Sequence, residues 1–299
     1  MRILMTIVLA VAVTGMANAD TDHFDWKGTV ASGQSIEIKG VNGSIRAEPG
    51  SSGQVEVTAD KTGQHSNPGE VRLEVVPHGE GVTICAVYPS SDGRPNECRP
   101  GQGGHMNVNR NDVKVEFTVR VPSGVRFIGR TVNGAVEARS LTALAEAHTV
   151  NGKIRISTAG EAQAETVNGS IDASLGSTSG TGKLKFSSVN GAIHLDLPRG
   201  LNAQVRATTV NGSISSDFPL MVHGKLGRKS IEGTAGSGGS TGGGHRGRET
   251  TKVRDAPEGI ESPQRQDRSG TRGGSGTTFG RAEVVRAEDR GHEDESVTA

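Results

Sequence analysis

Asp196 and Asp217 each stand five residues after the Gly of an Asn-Gly pair, at Gly191 and Gly212. Two carboxylates a few ångströms apart are what glycoside hydrolysis needs, one to protonate the leaving oxygen and one to act as base or nucleophile. Clusters of Asp, Arg or Lys on one outer face of a parallel β-helix would serve an enzyme that cleaves acidic polysaccharides. The equivalent earlier residues are Arg139, Ser157 and Ser174, so the acid is not a repeated feature, and the plainer reading is two solvated acids near strand ends. The nine histidines show no i, i+2 or i, i+4 pair and no HExxH, which gives metal coordination no local support. No Gly-x-Ser-x-Gly elbow occurs. Gly-rich runs such as Gly242-Gly243-Gly244 have no strand or helix to frame them as a phosphate loop. The sequence thus assigns no catalytic, cofactor-binding or metal-ligating residue and reads as a non-enzyme; the alternative is a polysaccharide-active enzyme on the same scaffold.

The elements that would position these residues are set by one tripeptide. Val-Asn-Gly recurs at 132–134, 150–152, 167–169, 189–191 and 210–212, at intervals of 18, 17, 22 and 21 residues, and an earlier copy stands apart at Val41-Asn42-Gly43. Self-similarity at such a period marks a solenoid or array. After each copy, alternate residues Val136 and Ala138, Ile154 and Ile156, Ile171 and Ala173, and Ile193 and Leu195 fall on one face of a strand. Before each copy, Ala145-Ala147-Thr149, Ala162-Ala164-Thr166 and Leu184-Phe186-Ser188 do the same with odd or even parity reversed, so each corner absorbs one residue. Asn-Gly suits that role, because Gly takes positive φ freely and Asn tolerates it. Asn-Gly also favours a two-residue hairpin, but reversal at every copy would not return the same corner once per two short strands. The pattern predicts stacked parallel rungs, with structural corners at Asn133-Gly134, Asn151-Gly152, Asn168-Gly169, Asn190-Gly191 and Asn211-Gly212.

Stacking at about 4.8 Å would align the third residue after each Gly, namely Glu137, Arg155, Asp172, His194 and Ser215, into a ladder of opposite charges. Exposed pairs of this kind contribute about 0–1 kcal/mol each and set register more than stability. His194 beside Asp172 then reads as a surface hydrogen-bond pair.

Met1–Ala19 carries Arg2, an apolar run from Ile3 to Val13, and Ala17-Asn18-Ala19, the pattern of a signal peptide. The run is too short for a membrane anchor, so an exported chain, periplasmic or extracellular, is expected from Asp20 onward. Residues 20–130 read as an irregular β region, with alternation at 35–39, 55–59, 71–76, 82–88 and 113–121 and no helix signal. Phe24 and Trp26 are expected to plug the open end of the solenoid. Residues 131–233 form the repeat proper. Glycine abounds, 44 of 299 residues, and aromatics are only 3 %, as suits thin rungs rather than a large aromatic core. A net charge of zero argues against nucleic acid or an anionic membrane as partner. Cys85 and Cys98 are the only cysteines, and in an exported chain they are expected to pair.

The string Gly81–Pro89, then Cys98, then Val113–Pro122 and the Val-Asn-Gly copies resemble the bacterial DUF4097 adhesin-like family over about residues 36–233. The resemblance implies an all-β, single-stranded parallel β-helix in a cell-envelope protein, with no catalytic residues to carry over. The chain departs from the family pattern after Gly227–Gly233, where one more Asn-Gly rung is usual. Residues 234–299 are instead rich in Gly, Arg, Ser and Glu, and are expected to be disordered, either as a flexible tail or as the product of a frameshift near Gly239. Expected partners are an envelope glycan or protein, or a second copy through an exposed solenoid end.

The Cys85–Cys98 bridge would close a loop of about 14 residues and contribute roughly 3 kcal/mol in the chain-entropy picture. Thiol titration of the denatured, unreduced protein is expected to find no free thiol; two reactive thiols would refute the pairing.

Overall fold

The computed structural model describes residues 23–177, 184–198, 203–209, 212–216, 220–222, 230–235, 250–255 and 280–286. The expected signal peptide, Asp217 and the Val210-Asn211 corner lie outside them. Among the described residues, apart from one 3-10 turn at Pro68–Glu70, every regular element is a strand, and the strands form two sheets.

The repeat generates these sheets by sending alternate strands to opposite sides of the core. β8 (Arg126–Arg130), β10 (Ala145–Asn151), β12 (Ala162–Asn168) and β14 (Leu184–Asn190) pair in parallel in one sheet. Their successors β9 (Val136–Leu141), β11 (Ile154–Thr158), β13 (Ile171–Leu175) and β15 (Ile193–Asp196) pair in parallel in the other. The register is in step with the motif: Asn151 lies opposite Asn168, and Ile154 is flanked by Val136 and Ile171. The parity read from the sequence is observed, with Ala145, Ala147 and Thr149 buried before the corner and Ile154 and Ile156 buried after it. Each fully buried Ile in this stack contributes roughly 1.5–3 kcal/mol through loss of apolar surface to water.

The Asn-Gly corners are shaped differently from the expectation. Among the described residues no Asn of the motif has positive φ, and of the corner glycines only Gly43 (φ 118°) and Gly191 (φ 154°) do. What the middle corners demand is close approach. A Cβ on Gly169 would lie 1.9 Å from the carbonyl oxygen of Gly152, and one on Gly152 would lie 1.9 Å from that of Gly134. The same carbonyls accept from the inward hydroxyls, Thr149 Oγ1 to Gly134 at 2.9 Å, Thr166 Oγ1 to Gly152 at 3.0 Å and Ser188 Oγ to Gly169 at 2.8 Å. Those Thr and Ser residues are therefore the buried partners that let the corner carbonyls leave water.

The copy at Val41-Asn42-Gly43 does not stand apart. β2 (Ser35–Lys39) pairs in parallel with β8, and β3 (Ile45–Pro49) with β9, which places Asn42 opposite Asn133. On the far side of this rung lie β6 (Gly81–Val87), parallel to β2, and β7 (Lys114–Val121), parallel to β3. The N-terminal region is thus made of rungs continuous with the repeat, stacked out of chain order. Antiparallel strands finish this end: β4 (Val55–Thr62) and β1 (His23–Gly28) beside β7, and β5 (Arg72–His78) beside β6. Phe24 on the edge strand β1 is buried in the core and Trp26 packs partly buried against it.

At the other end the order differs from simple stacking. β16 (Ala203–Thr209) and β17 (Gly212–Ser216), which flank the fifth copy, do not pair with β14 and β15. β16 is bordered by β19 (Ser230–Ala235), itself paired with β18 (Leu220–Val222). Two tail segments lie between the fourth and fifth copies, antiparallel to both: β20 (Thr250–Asp255) between β15 and β17, and β21 (Gly280–Arg286) between β14 and β16. The unpaired N–H and C=O groups along β14 and β15 make any extended segment a suitable ladder partner.

Replacing Gly169 by Ala is expected to lower stability by more than about 1 kcal/mol, because the methyl group collides with backbone that cannot turn aside. Ser170→Ala, one residue on, is expected to be nearly neutral. Denaturant midpoints compare the two; equal midpoints would mean that the rungs are not in close contact at this corner.

Candidate functional site

Three sets of polar side chains are held in register on the outside of the rungs. The first is the corner itself. Asn133 Nδ2 donates to Asn42 Oδ1 at 2.9 Å, Asn151 to Asn133 at 2.8 Å, Asn168 to Asn151 at 2.8 Å and Asn190 to Asn168 at 2.7 Å, an unbroken chain of side-chain amides. Asn42 Nδ2 in turn donates to the carbonyl of Asn111. Asn42, Asn133, Asn151 and Asn168 each donate once and accept once in this chain, which holds their amides in line. The Val of the motif stands beside this ladder, with Val132, Val150 and Val167 each 38 % exposed.

The second set is the outer face of the sheet containing β9, β11 and β13. Glu137, Arg155, Asp172 and His194 lie opposite one another on successive strands, as the spacing predicts, and Arg46 on β3 extends the row beyond Glu137. Glu137 is the centre of the row. Its carboxylate accepts from Arg155 Nη1 at 2.9 Å and Arg139 Nη2 at 2.7 Å, with Arg46 Nε 3.8 Å away. A bulge in β9 makes Arg139 and Ser140 share the place opposite Ser157, with Ser140 at φ 51°, and leaves Arg139 free to reach back to Glu137. Burial works to raise the Glu137 pKa, but the hydrogen bonds from Arg155 and Arg139 outweigh it and hold the carboxyl below its ordinary value. Asp172 is paired with Lys153 at 2.8 Å. Asp196 lies in an open groove of about 360 Å³ that Arg139, Arg155, Asp172 and His194 also line. The candidate carboxylate partner for it, Asp217, lies outside the described residues. Among the described residues no three His, Cys, Asp or Glu side chains gather as metal ligands.

The third set was not foreseen. On the outer face of the opposite sheet Arg130 bridges Glu37 (Nε to Oε1, 2.9 Å) and Glu146 (Nη2 to Oε1, 2.6 Å). The row continues through His148, 2.6 Å from Glu146 and 3.5 Å from Glu165, to Lys185, which is paired with Glu165. Glu37 is buried because residues 88–113, the connection between β6 and β7, fold back over it. The bridge between Cys85 on β6 and Cys98 in this flap, with Cα atoms 5.6 Å apart, fastens the flap to the sheet. Gly101 N donates to Glu37 Oε2, and Lys39 Nζ donates to the carbonyls of Arg99, Gly101 and Gly103 at 2.8–2.9 Å. Burial pulls the Lys39 pKa down, with Glu37 opposing. At the flap's base Tyr88 Oη donates to the carbonyl of Val113 at 2.9 Å, and burial pushes the phenol up to about 12. The sequence does carry a signal for this cover, since charged Glu37 and Lys39 alternate with Ile36 and Ile38 on one strand while Cys85 shares the outer side of the neighbouring strand. What it lacks is any indication of where the loop lands.

Two faces of parallel strands held by rung-to-rung ladders define an all-β repeat protein of the solenoid type. A family model described as Toastrack DUF4097 matches residues 12–241, and the chain belongs to that family. No curated protein matches the sequence. Among solved structures, one of a protein from Clostridium sporogenes, provisionally described as a cell adhesion protein, shares 12 % identity, covers 54 % of this chain and 74 % of its own, and has a TM-score of 0.31.

Acid sensitivity follows from the ladders. Glu146 is held below its ordinary value first by the hydrogen bond from His148, against desolvation, with the Arg130 guanidinium adding to the effect; Glu137 is lowered as well. A carboxyl whose folded pKa is depressed adds stability above its unfolded pKa of about 4.3 and loses it as pH falls through the folded value. The melting temperature is therefore expected to drop on acidification from about pH 6 to about pH 3. Glu146→Gln should show a smaller drop over the same range. An identical acid profile in the variant would exclude the Glu146 contribution.

Proposed function

We propose that this chain is a non-catalytic, adhesin-like module of the bacterial cell envelope, in which stacked rungs present flat faces to a glycan or to another envelope protein. One observation carries the reading. Glu137, Asp172, Glu146 and His148 are each paired with neighbouring charges along the stack, which leaves Asp196, in its open groove, as the described acid to test. On this reading the coil is a single-stranded parallel β-helix. The Cys85–Cys98 bridge supports export to an oxidising compartment, and among the described residues no helix is long and apolar enough to cross a membrane.

A screen of the full chain against envelope glycans and envelope proteins tests the binding reading. The same mixtures should be assayed for new reducing ends, and none are expected. Release of reducing ends that is lost in Asp196→Asn would overturn the non-catalytic assignment in favour of polysaccharide cleavage.

A further inference from the structure

The row centred on Glu137 holds more cationic hydrogen-bond donors than its one carboxylate can engage. Each guanidinium carries five N–H donors and a carboxylate about four acceptor sites. Arg46, Arg139 and Arg155 converge on that single group, yet their side chains remain 53 %, 57 % and 53 % exposed while Glu137 beneath them is only 13 % exposed. The adjoining charges are matched elsewhere: Arg120 with Glu48 at 3.1 Å and Lys153 with Asp172 at 2.8 Å. Three cations around Glu137 leave a surplus of positive charge there, offset in part by Asp196 across the groove, on a chain whose formal net charge is zero. Because Glu137 fixes the guanidinium positions, little side-chain freedom is left to lose when an anion arrives. Arg46 and Arg155 stand on strands that flank β9, and both head groups lean toward the same Glu137 carboxylate, so with Arg139 they form one cluster of guanidiniums. The groove beside them offers the hydroxyl groups of Ser157 and Ser174 over Ile156 and Ala173, with Asp172, His194 and Asp196 at its far side.

We propose that this face binds a polyanionic glycan, with the cluster of Arg46, Arg139 and Arg155 engaging its carboxylate or sulfate groups. The inference rests on the reading of the chain as a binding module and names the chemistry of its partner. Forked guanidinium contacts to planar anions are the geometry in which Arg exceeds Lys.

The test is binding of the full chain to immobilised polygalacturonate, dextran sulfate and uncharged dextran. Either anionic polymer is expected to bind and dextran is not; which of the two binds more tightly separates carboxylate from sulfate recognition. Arg139→Gln with Arg155→Gln should weaken binding by roughly tenfold or more, and Arg139→Lys with Arg155→Lys should weaken it less. The charge-matched pair Arg72→Gln with Arg99→Gln, on the opposite sheet and flap, should bind as the parent does. Equal loss in that control, or no loss in the first pair, would overturn the proposal. So would a single-stranded oligonucleotide that binds as tightly with the same dependence on Arg139 and Arg155. If the Gln pair does not fold, the Lys pair decides: weakened binding at an unchanged melting temperature supports the forked contact, and parental affinity refutes it. Shortening of the polymer during the assay would refute the non-catalytic reading while leaving the binding face in place.

Discussion

Everything in this fold depends on how closely one corner can lie on the next. The carbonyl of each motif Gly points at the α-carbon of the Gly one rung on, at a distance that a Cβ would bring to about 1.9–2.0 Å. Only glycine permits that approach, and the carbonyl must then find a donor within the protein. The inward Thr or Ser before each motif supplies it. The Asn amide, one position earlier and on the outside, closes a second chain of hydrogen bonds along the stack at net values of about 0.5–1.5 kcal/mol each. A three-residue motif thus serves both sides of the corner, which explains why the tripeptide persists while the residues between copies vary in length.

The same constraint governs where the stack can be interrupted. At the corner of the rung formed by β6 and β7 the Asn-Gly pair is absent, and the long flap of residues 88–113 occupies the connection. Its return is registered on the next rung by Val115 N, which donates to Asn42 O at 2.8 Å, and by Asn111 O, which accepts from the Asn42 amide. The flap is then free to cover the outside of β2 and β6. That cover buries Glu37, and a buried carboxylate demands partners. Arg130, Thr83 and the Gly101 amide provide them, with the disulfide holding the loop close enough for Gly101 to do so.

The repeat, its parity and the parallel ladder were legible in the sequence because side-chain alternation and motif spacing are local quantities. The row from Glu137 to His194 could be written down from spacing alone. Three features were not legible, each for a non-local reason. The rung of Asn42 sits beside Asn133 although 91 residues separate them, because chain order and stacking order diverge once β4 and β5 leave for the edges. The corner glycines look like positive-φ positions in isolation, whereas the demand on most of them comes from a neighbouring rung. The tail strands β20 and β21 carry no helical or motif signal, and their place is set by the open ladder of β14 and β15 that they border.

Pairing within the ladders also determines what the surface can still do. Where charges match one to one, as in Lys153 with Asp172 or Lys185 with Glu165, the pair is nearly silent toward a partner, and its exposed Coulomb energy is small. Where the stoichiometry is unequal, the ladder fixes positions without exhausting them. Glu137 shows this most plainly: its burial requires at least one cation, the bulge at Ser140 brings Arg139 as a second, and the register brings Arg46 as a third. Two of those charges exceed what folding needs. Three half-exposed guanidiniums gathered on one carboxylate are the clearest case of unequal pairing among the described ladders, and it is on this imbalance that the proposed glycan contact is built.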